Sequence, residues 1–411
     1  MFSLKWSVLV ALFHYSGIST AAPQAAAFGP VLPTKDSFYH PPAGYEKQPP
    51  GAILRNRTVP SALAISGVSA AFQLLYRTTD TFGDASATVT TILIPRNADS
   101  TKLLSYQLAE DAANPNCAPS YVMQLFADSG GPFGTIVSNL ELNLIRDALK
   151  KGWYVSVPDF LGPKSAFLAN TMAGHAVLDG IRAAFHADFT KLSKNARVAL
   201  WGYSGGSMAS EFAAELQATY APELKIAGAA LGGTIPNILS VLNTINKSFF
   251  AGLIPSGIVG LANEYPEIAA LVANEIIPSK ADIIQKITTQ CLGANVLSFM
   301  GQDVFSYTKD PNVFNSTLVR NVTDANNPGH ITPTMPILIY KGAKDQISPV
   351  ADTDKLVDKY CGTGGSVEYR RVPDSEHLGL IFKGAPGALN WLSDRLSGVP
   401  AKQGCVKSTN A

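Results

Sequence analysis

Residues 198–212 read VALWGYSGGSMASEF. The apolar run VALW has the character of a buried strand, and GSMASEF opens an amphipathic helix, so GYSGG between them is a tight strand-to-helix turn. The pattern G-x-S-x-G recurs by chance on its own. In this setting it places Ser204 at the apex of a strained turn, where a side chain at Gly202 or Gly206 would collide with its neighbours. The N-terminus of the following helix favours negative charge developing beside that serine.

The flanking sequence keeps the same rhythm. AFQLLYRT, ATVTTILIP and KLLSYQLA, within residues 71–109, are strand-like, and Pro95 stops the second. IVSNLELNLIRDALKKG (136–152) has helical spacing and a Lys-Lys-Gly ending. WYVSVPDF, MAGHAVLDGIRAAFHADF, LKIAGAALGG, MPILIYKGAKD, SVEYRRVPDSEH and APGALNWLSDRLSG continue as strand, helix, strand, strand, strand and closing helix. Alternation of this kind predicts a mostly parallel sheet flanked by helices, and with GYSGG, which resembles the nucleophile turn of an α/β-hydrolase, the expected fold is of that kind. Residues 22–60, rich in Pro, Ala and Gly, read as an irregular surface arm. About a hundred residues before MPILIY break the rhythm and read as an apolar helical insertion. Their longest apolar run, FFAGLIPSGIVGLA, is interrupted by Pro255, Ser256 and glycines, which favours a cap with greasy faces over a membrane span.

A hydrolase of this fold orders its triad Ser, acid, His along the chain. Of six histidines, only His330 and His377 follow Ser204. His330 precedes the last strands and leaves no room for an acid, whereas His377, in VPDSEHLGL, follows a strand near the C-terminus on what reads as a loop. Asp345 ends the strand before it, in ILIYKGAKDQISP. Asp352, Asp354 and Asp358 look like a solvated helix face, and Asp374 and Glu376 lie too close to His377 in sequence to orient it. Ser204, Asp345 and His377 are therefore the candidate nucleophile, acid and base. One oxyanion donor is the N–H of Gly205. The second is expected from the loop YQLAEDAANPNCAPSY, which has no His-Gly-Gly-Gly run.

A second Ser-Gly-Gly stretch, FADSGGPFG (126–134), is similar to the nucleophile segment of trypsin-like proteases. That chemistry needs a His and then an Asp upstream on a two-barrel β fold. His14 and His40 lack the appropriate surroundings, so Ser129 is read as part of a turn lining the pocket.

Length and composition bound the alternatives. At 411 residues with 46% hydrophobic side chains, the chain suits one catalytic domain carrying a large insertion. A net charge of +1 supplies no field for nucleic acid or an anionic membrane. Lys5, the apolar residues 6–13 and Ser19-Thr20-Ala21 form a secretory signal over residues 1–21, too short for a stable membrane anchor. Sequons at Asn56, Asn246, Asn315 and Asn321 agree with an extracellular glycoprotein. Four cysteines, Cys117, Cys291, Cys361 and Cys405, suggest two disulfides with three possible pairings. None has zinc-site spacing, so no metal and no cofactor is expected.

GYSGG, CAPSY, LDGIRA, YAPEL, GGT, KDQIS and EHL occur together in the order shown by the fungal secretory lipases, and the chain resembles that family over roughly residues 60–405. The resemblance implies a secreted acylhydrolase with the triad Ser204, Asp345 and His377. It implies a catalytic domain over 22–234 and 329–411 and a helical cap, or lid, over 235–328. It also implies the pairs Cys117–Cys291 and Cys361–Cys405, and Asp111, through its backbone N–H, as the second oxyanion donor. The leading expectation is a monomeric triacylglycerol lipase acting on an ester or lipid at an oil–water interface. The competing expectations are a secreted esterase removing acetyl or other short acyl groups from a secondary metabolite, a peptidase on the same fold, and a binding protein that has lost catalysis.

Overall fold

The computed structural model describes residues 29–409; the expected signal at 1–21 lies outside them. The core is a ten-stranded sheet in the order β1-β2-β3-β5-β4-β6-β7-β8-β9-β10. The first three strands, β1 (Ile53–Thr58), β2 (Val68–Thr79) and β3 (Ala85–Pro95), form an antiparallel ribbon that joins β5 (Trp153–Pro158) antiparallel. From β5 onward every pairing is parallel, through β4 (Asp99–Gln107), β6 (Arg197–Tyr203), β7 (Ile226–Gly232), β8 (Ile337–Gly342), β9 (Val367–Val372) and β10 (Cys405–Thr409).

The period-two alternation of β6 explains how the sheet is covered. Val198 and Leu200 belong to the core beneath α3 (Asn170–His186) and α4 (Gly205–Tyr220). Ala199, Trp201 and Tyr203 belong to the opposite core beneath α2 (Ile136–Lys150) and α12 (His377–Leu396). The short α1 (Pro119–Val122) and α11 (Val350–Gly362) complete the layers. This is the α/β-hydrolase arrangement expected from the alternation.

Three local readings need correction. In the arm expected over 22–60, the described residues 29–52 carry only short 3-10 turns, and β1 then pairs with the sheet edge, because Arg55 to Thr58 find register partners on β2 from Leu75 to Phe72. The helix expected to close the chain is followed by one more strand, β10, parallel to β9. His377 does not sit on a loop: it is the first residue of α12, whose first turn carries it toward the sheet's C-terminal edge.

Between β7 and β8 the chain builds a helical insertion: α5 (Ile238–Ile245), α6 (Leu253–Glu264), α7 (Pro266–Glu275), α8 (Ala281–Gln285), α9 (Leu292–Phe299) and α10 (Thr317–Ala325). Pro255 is tolerated because it falls in the first turn of α6, where its missing N–H has no intrahelical partner to lose. Gly260 allows α6 to lie directly on the chain below: a Cβ there would stand 2.5 Å from the Phe167 carbonyl oxygen. Among the described residues, no helix is long and apolar enough to cross a membrane.

Both stems of the insertion rest on α4. Thr234 Oγ1 donates to Glu211 Oε2 at 2.6 Å, while the N–H groups of Gly329 and Ile331 donate to Glu215 Oε1 and Oε2 at 2.5 and 3.2 Å. Tyr360 OH lies between the two carboxyls. Burial pushes Glu211 up to about 8.

The disulfides are Cys117–Cys291, from the β4–α1 loop to the insertion, and Cys361–Cys405, from α11 to β10. Because the first closes a span of 174 residues, replacing both its cysteines by alanine is expected to lower unfolding stability by roughly 3–5 kcal/mol. Denaturant melts of the double variant check this, and an unchanged midpoint would contradict it.

Candidate active site

Ser204 follows β6 directly and precedes α4 with φ +52° and ψ −121°, a conformation that costs a non-glycine residue on the order of 1–3 kcal/mol. The surroundings enforce it. Ser204 N–H donates to the Gly232 carbonyl at 2.9 Å, and its own carbonyl accepts from Ser207 N–H at 2.9 Å. A Cβ on Gly206 would lie 1.9 Å from the Gln107 carbonyl oxygen, so only glycine lets the start of α4 press against the end of β4.

His377 reaches this serine from the start of α12. Its Nε2 stands 2.9 Å from Ser204 Oγ, and its Nδ1 is 2.7 Å from Asp345 Oδ2. The ring is only 2% exposed and packs near the Tyr203 ring at 5.4 Å between centroids. His377 N–H donates to Gln346 Oε1 at 3.0 Å, and Tyr203 OH donates to the His377 carbonyl. Ring and backbone are thus both held.

Asp345 Oδ1 accepts from the N–H groups of Ile347 and Ser348, each at 2.9 Å, and Oδ2 also accepts from Lys341 Nζ at 2.9 Å. Burial alone would raise this carboxyl; the charges and hydrogen bonds of His377 and Lys341 outweigh it and hold the group well below the usual carboxylate range. Lys341, Gln346 and Tyr203 carried no chemical signal in the sequence. A lysine inside the apolar run ILIYKG was the one available hint.

Asp111 lies opposite, on the loop after β4, with φ +42°. Its carboxyl abuts the nucleophile turn: a Cβ on Gly205 would stand 1.8 Å from Asp111 Oδ1. That oxygen is buried and has no hydrogen-bond partner among the described residues. Burial pushes the group up to about 7, which favours the neutral carboxyl below that pH. Gly205 and Asp111, far apart in sequence, therefore flank Ser204 together.

His330 is exposed and bonds through Nε2 to the Asp324 carbonyl at 2.8 Å. Ser129 Oγ donates to the Gly131 carbonyl within its own turn. That turn is a seat for the insertion, since the Gly130 carbonyl accepts from Cys291 N–H at 2.9 Å and Gly134 carbonyl from Gly293 N–H at 3.0 Å. Asn56, Asn315 and Asn321 are exposed; Asn246 is half-buried, with its amide engaged by Asp303 and the Val304 N–H.

Two apolar cavities meet at Ser204 and Asp111. One runs beneath the insertion past Phe167, Met208, Ile238, Leu261 and Val272. The other passes His377 and Ile381 and opens between Phe133, Leu140, Phe249 and Leu297.

A strained strand-to-helix serine, a histidine on it and a carboxylate behind, on this sheet, define the α/β-hydrolase class. Residues 128–404 match the family model described as secretory lipase. Lipase A of Arthroderma benhamiae is 47% identical over 92% of this chain and 83% of its own length; Lipase 6 of Candida albicans is 39% identical over 94% and 86%. The closed-state crystal structure of Candida antarctica lipase A superposes with a TM-score of 0.86 at 30% identity, covering 92% of this chain and 90% of that one. The chain belongs to the secretory lipase family and is a carboxylic-ester hydrolase of the lipase class.

Proposed function

We propose that this protein is a secreted triacylglycerol lipase that works through an acyl-enzyme on Ser204. The observation that carries the reading is the continuous line Ser204–His377–Asp345 placed where two apolar cavities meet. His377 Nε2 takes the hydroxyl proton as Ser204 Oγ attacks the ester carbonyl, and Asp345 fixes the imidazole tautomer and stabilises its cation. The N–H groups of Gly205 and Asp111 receive the oxyanion, and a neutral Asp111 carboxyl removes the repulsion an ionised one would exert. His377 then returns the proton to the departing alcohol, and water repeats the sequence on the acyl-enzyme.

Proton return assigns the two cavities. The alcohol must leave on the side of His377, so the cavity lined by His377 and Ile381 takes the glycerol portion. The cavity beneath the insertion takes the acyl chain, in keeping with residues 235–328 acting as a cap. Around the mouth of the alcohol side, Phe133, Ile136, Phe249, Leu297 and Leu378 are 39–68% exposed, an apolar rim that suits an oil surface. Two disulfides and the leader-like N-terminus support secretion.

The acyl-length profile tests the substrate. The rate on p-nitrophenyl esters is expected to rise at least tenfold from two-carbon to eight-carbon or longer chains, at about 1–3 kcal/mol for each well-buried stretch of chain. A maximum at two carbons, with no turnover of emulsified triglyceride, would move the assignment to a short-acyl esterase.

A further inference from the structure

Lys341 is a fully buried charged side chain beside the site, and it is not a member of the triad. Its position on β8 puts Nζ 2.9 Å from Asp345 Oδ2, the same oxygen that accepts from His377 Nδ1, and 2.9 Å from the Thr234 carbonyl. The two N–H donors from Ile347 and Ser348 already satisfy Asp345 Oδ1, so hydrogen bonding alone did not require a cation here. A buried ammonium is costly unless paired, and its retention beside a catalytic carboxylate points to a task.

We propose that Lys341 is a positioning residue of the triad: its ammonium pins Asp345 Oδ2 in line with His377 Nδ1 and, by its charge, opposes proton uptake by the Asp345–His377 pair. This rests on the triad reading of the site. A positive charge in contact with the oxygen that Asp345 shares with His377 disfavours a further positive charge there, and so lowers the pH at which protonation inactivates the site. The other groups around Lys341 do not cancel this. Glu211, on α4, is pushed up to about 8 and is neutral below that pH. Asp352, on α11, is only partly buried and has Lys355 beside it at 3.5 Å. The Thr234 carbonyl also accepts from Ser348 Oγ at 3.2 Å, so it keeps a donor when Lys341 is replaced.

The test compares the pH profile of kcat/KM for the full-length enzyme with those of Lys341→Gln, which keeps a donor without charge, and Lys341→Met, which keeps neither. Both variants are expected to move the acid limb upward by roughly one pH unit. Both should lower plateau kcat roughly tenfold or more with KM changed less than about twofold, since substrate contacts are untouched. An acid limb that stays in place in both variants, whatever the loss of rate, overturns the proposal and leaves Lys341 a structural pair. Should neither variant fold, the wild-type enzyme decides: in 15N-lysine-labelled protein, a buried-lysine Nζ that is a charged ammonium and whose shift steps along the acid limb of kcat/KM upholds the proposal, and a neutral amine, or an ammonium indifferent to that limb, overturns it. Ser204→Ala run alongside separates the two levels, because retained hydrolysis there sinks the triad reading, whereas an inactive Ser204→Ala with unshifted Lys341 variants sinks this inference alone.

Discussion

Ser204→Ala is expected to lower kcat on any ester substrate by roughly 10⁵- to 10⁶-fold while leaving the melting temperature nearly unchanged. The rate falls because, among the described residues, Ser204 Oγ is the hydroxyl that His377 Nε2 contacts, at 2.9 Å. Stability holds because the turn is kept by backbone groups, Ser204 N–H to Gly232 and Gly206 against Gln107, and not by the hydroxyl. Adding His377→Ala to this variant should cost little more, since a base without its nucleophile has no proton to take. Kinetics of the single and double variants check both statements. Additive losses, or more than a hundredth of wild-type activity in Ser204→Ala, would place the chemistry elsewhere.

Gly205→Ala is the second large effect, with kcat/KM expected to fall roughly 10³- to 10⁴-fold. The new Cβ would stand 1.8 Å from Asp111 Oδ1, well inside contact distance, so the buried Asp111 carboxyl must be displaced and press on the loop that carries it. Gly205 N–H and Asp111 N–H then lose their common focus, and each oxyanion donor is worth on the order of 10²–10³ in rate. KM should change far less, because the cavity walls beneath the insertion remain in place. A variant with wild-type kcat would show that Asp111 and Gly205 do not act together. Asp111→Ala added to Gly205→Ala removes the colliding carboxyl and keeps the backbone N–H of residue 111, so a large part of the lost activity should return.

How much of this was legible in the sequence follows from the range of each interaction. β6, the turn and α4 are local: the apolar run VALW, buried throughout, glycines at Gly202 and Gly206, and helical spacing after Ser204 all act within fifteen residues. The order of Ser204, Asp345 and His377 along the chain was readable because the fold places its strands in a set order. β1 and β10 were missed because edge strands depend on a partner's register more than on their own composition. His377 was expected on a loop because VPDSEH reads as a turn; the helix beginning at the histidine is held by Gln346 and Tyr203, neither adjacent to it in sequence.

The sequence by itself determined the class of sheet, the serine turn, and which acid and histidine could serve it, because these follow from periodicity, chain order and the steric needs of a tight turn. Only the tertiary structure decided that DSGGP seats the helical insertion, that Asp111 abuts Gly205, and that Lys341 shares Asp345 with His377. Those facts depend on pairs separated by up to about 160 residues, or on one buried charge whose meaning is set by what it faces. Distances of that kind are produced by packing the two cores against the sheet, and no local pattern encodes them.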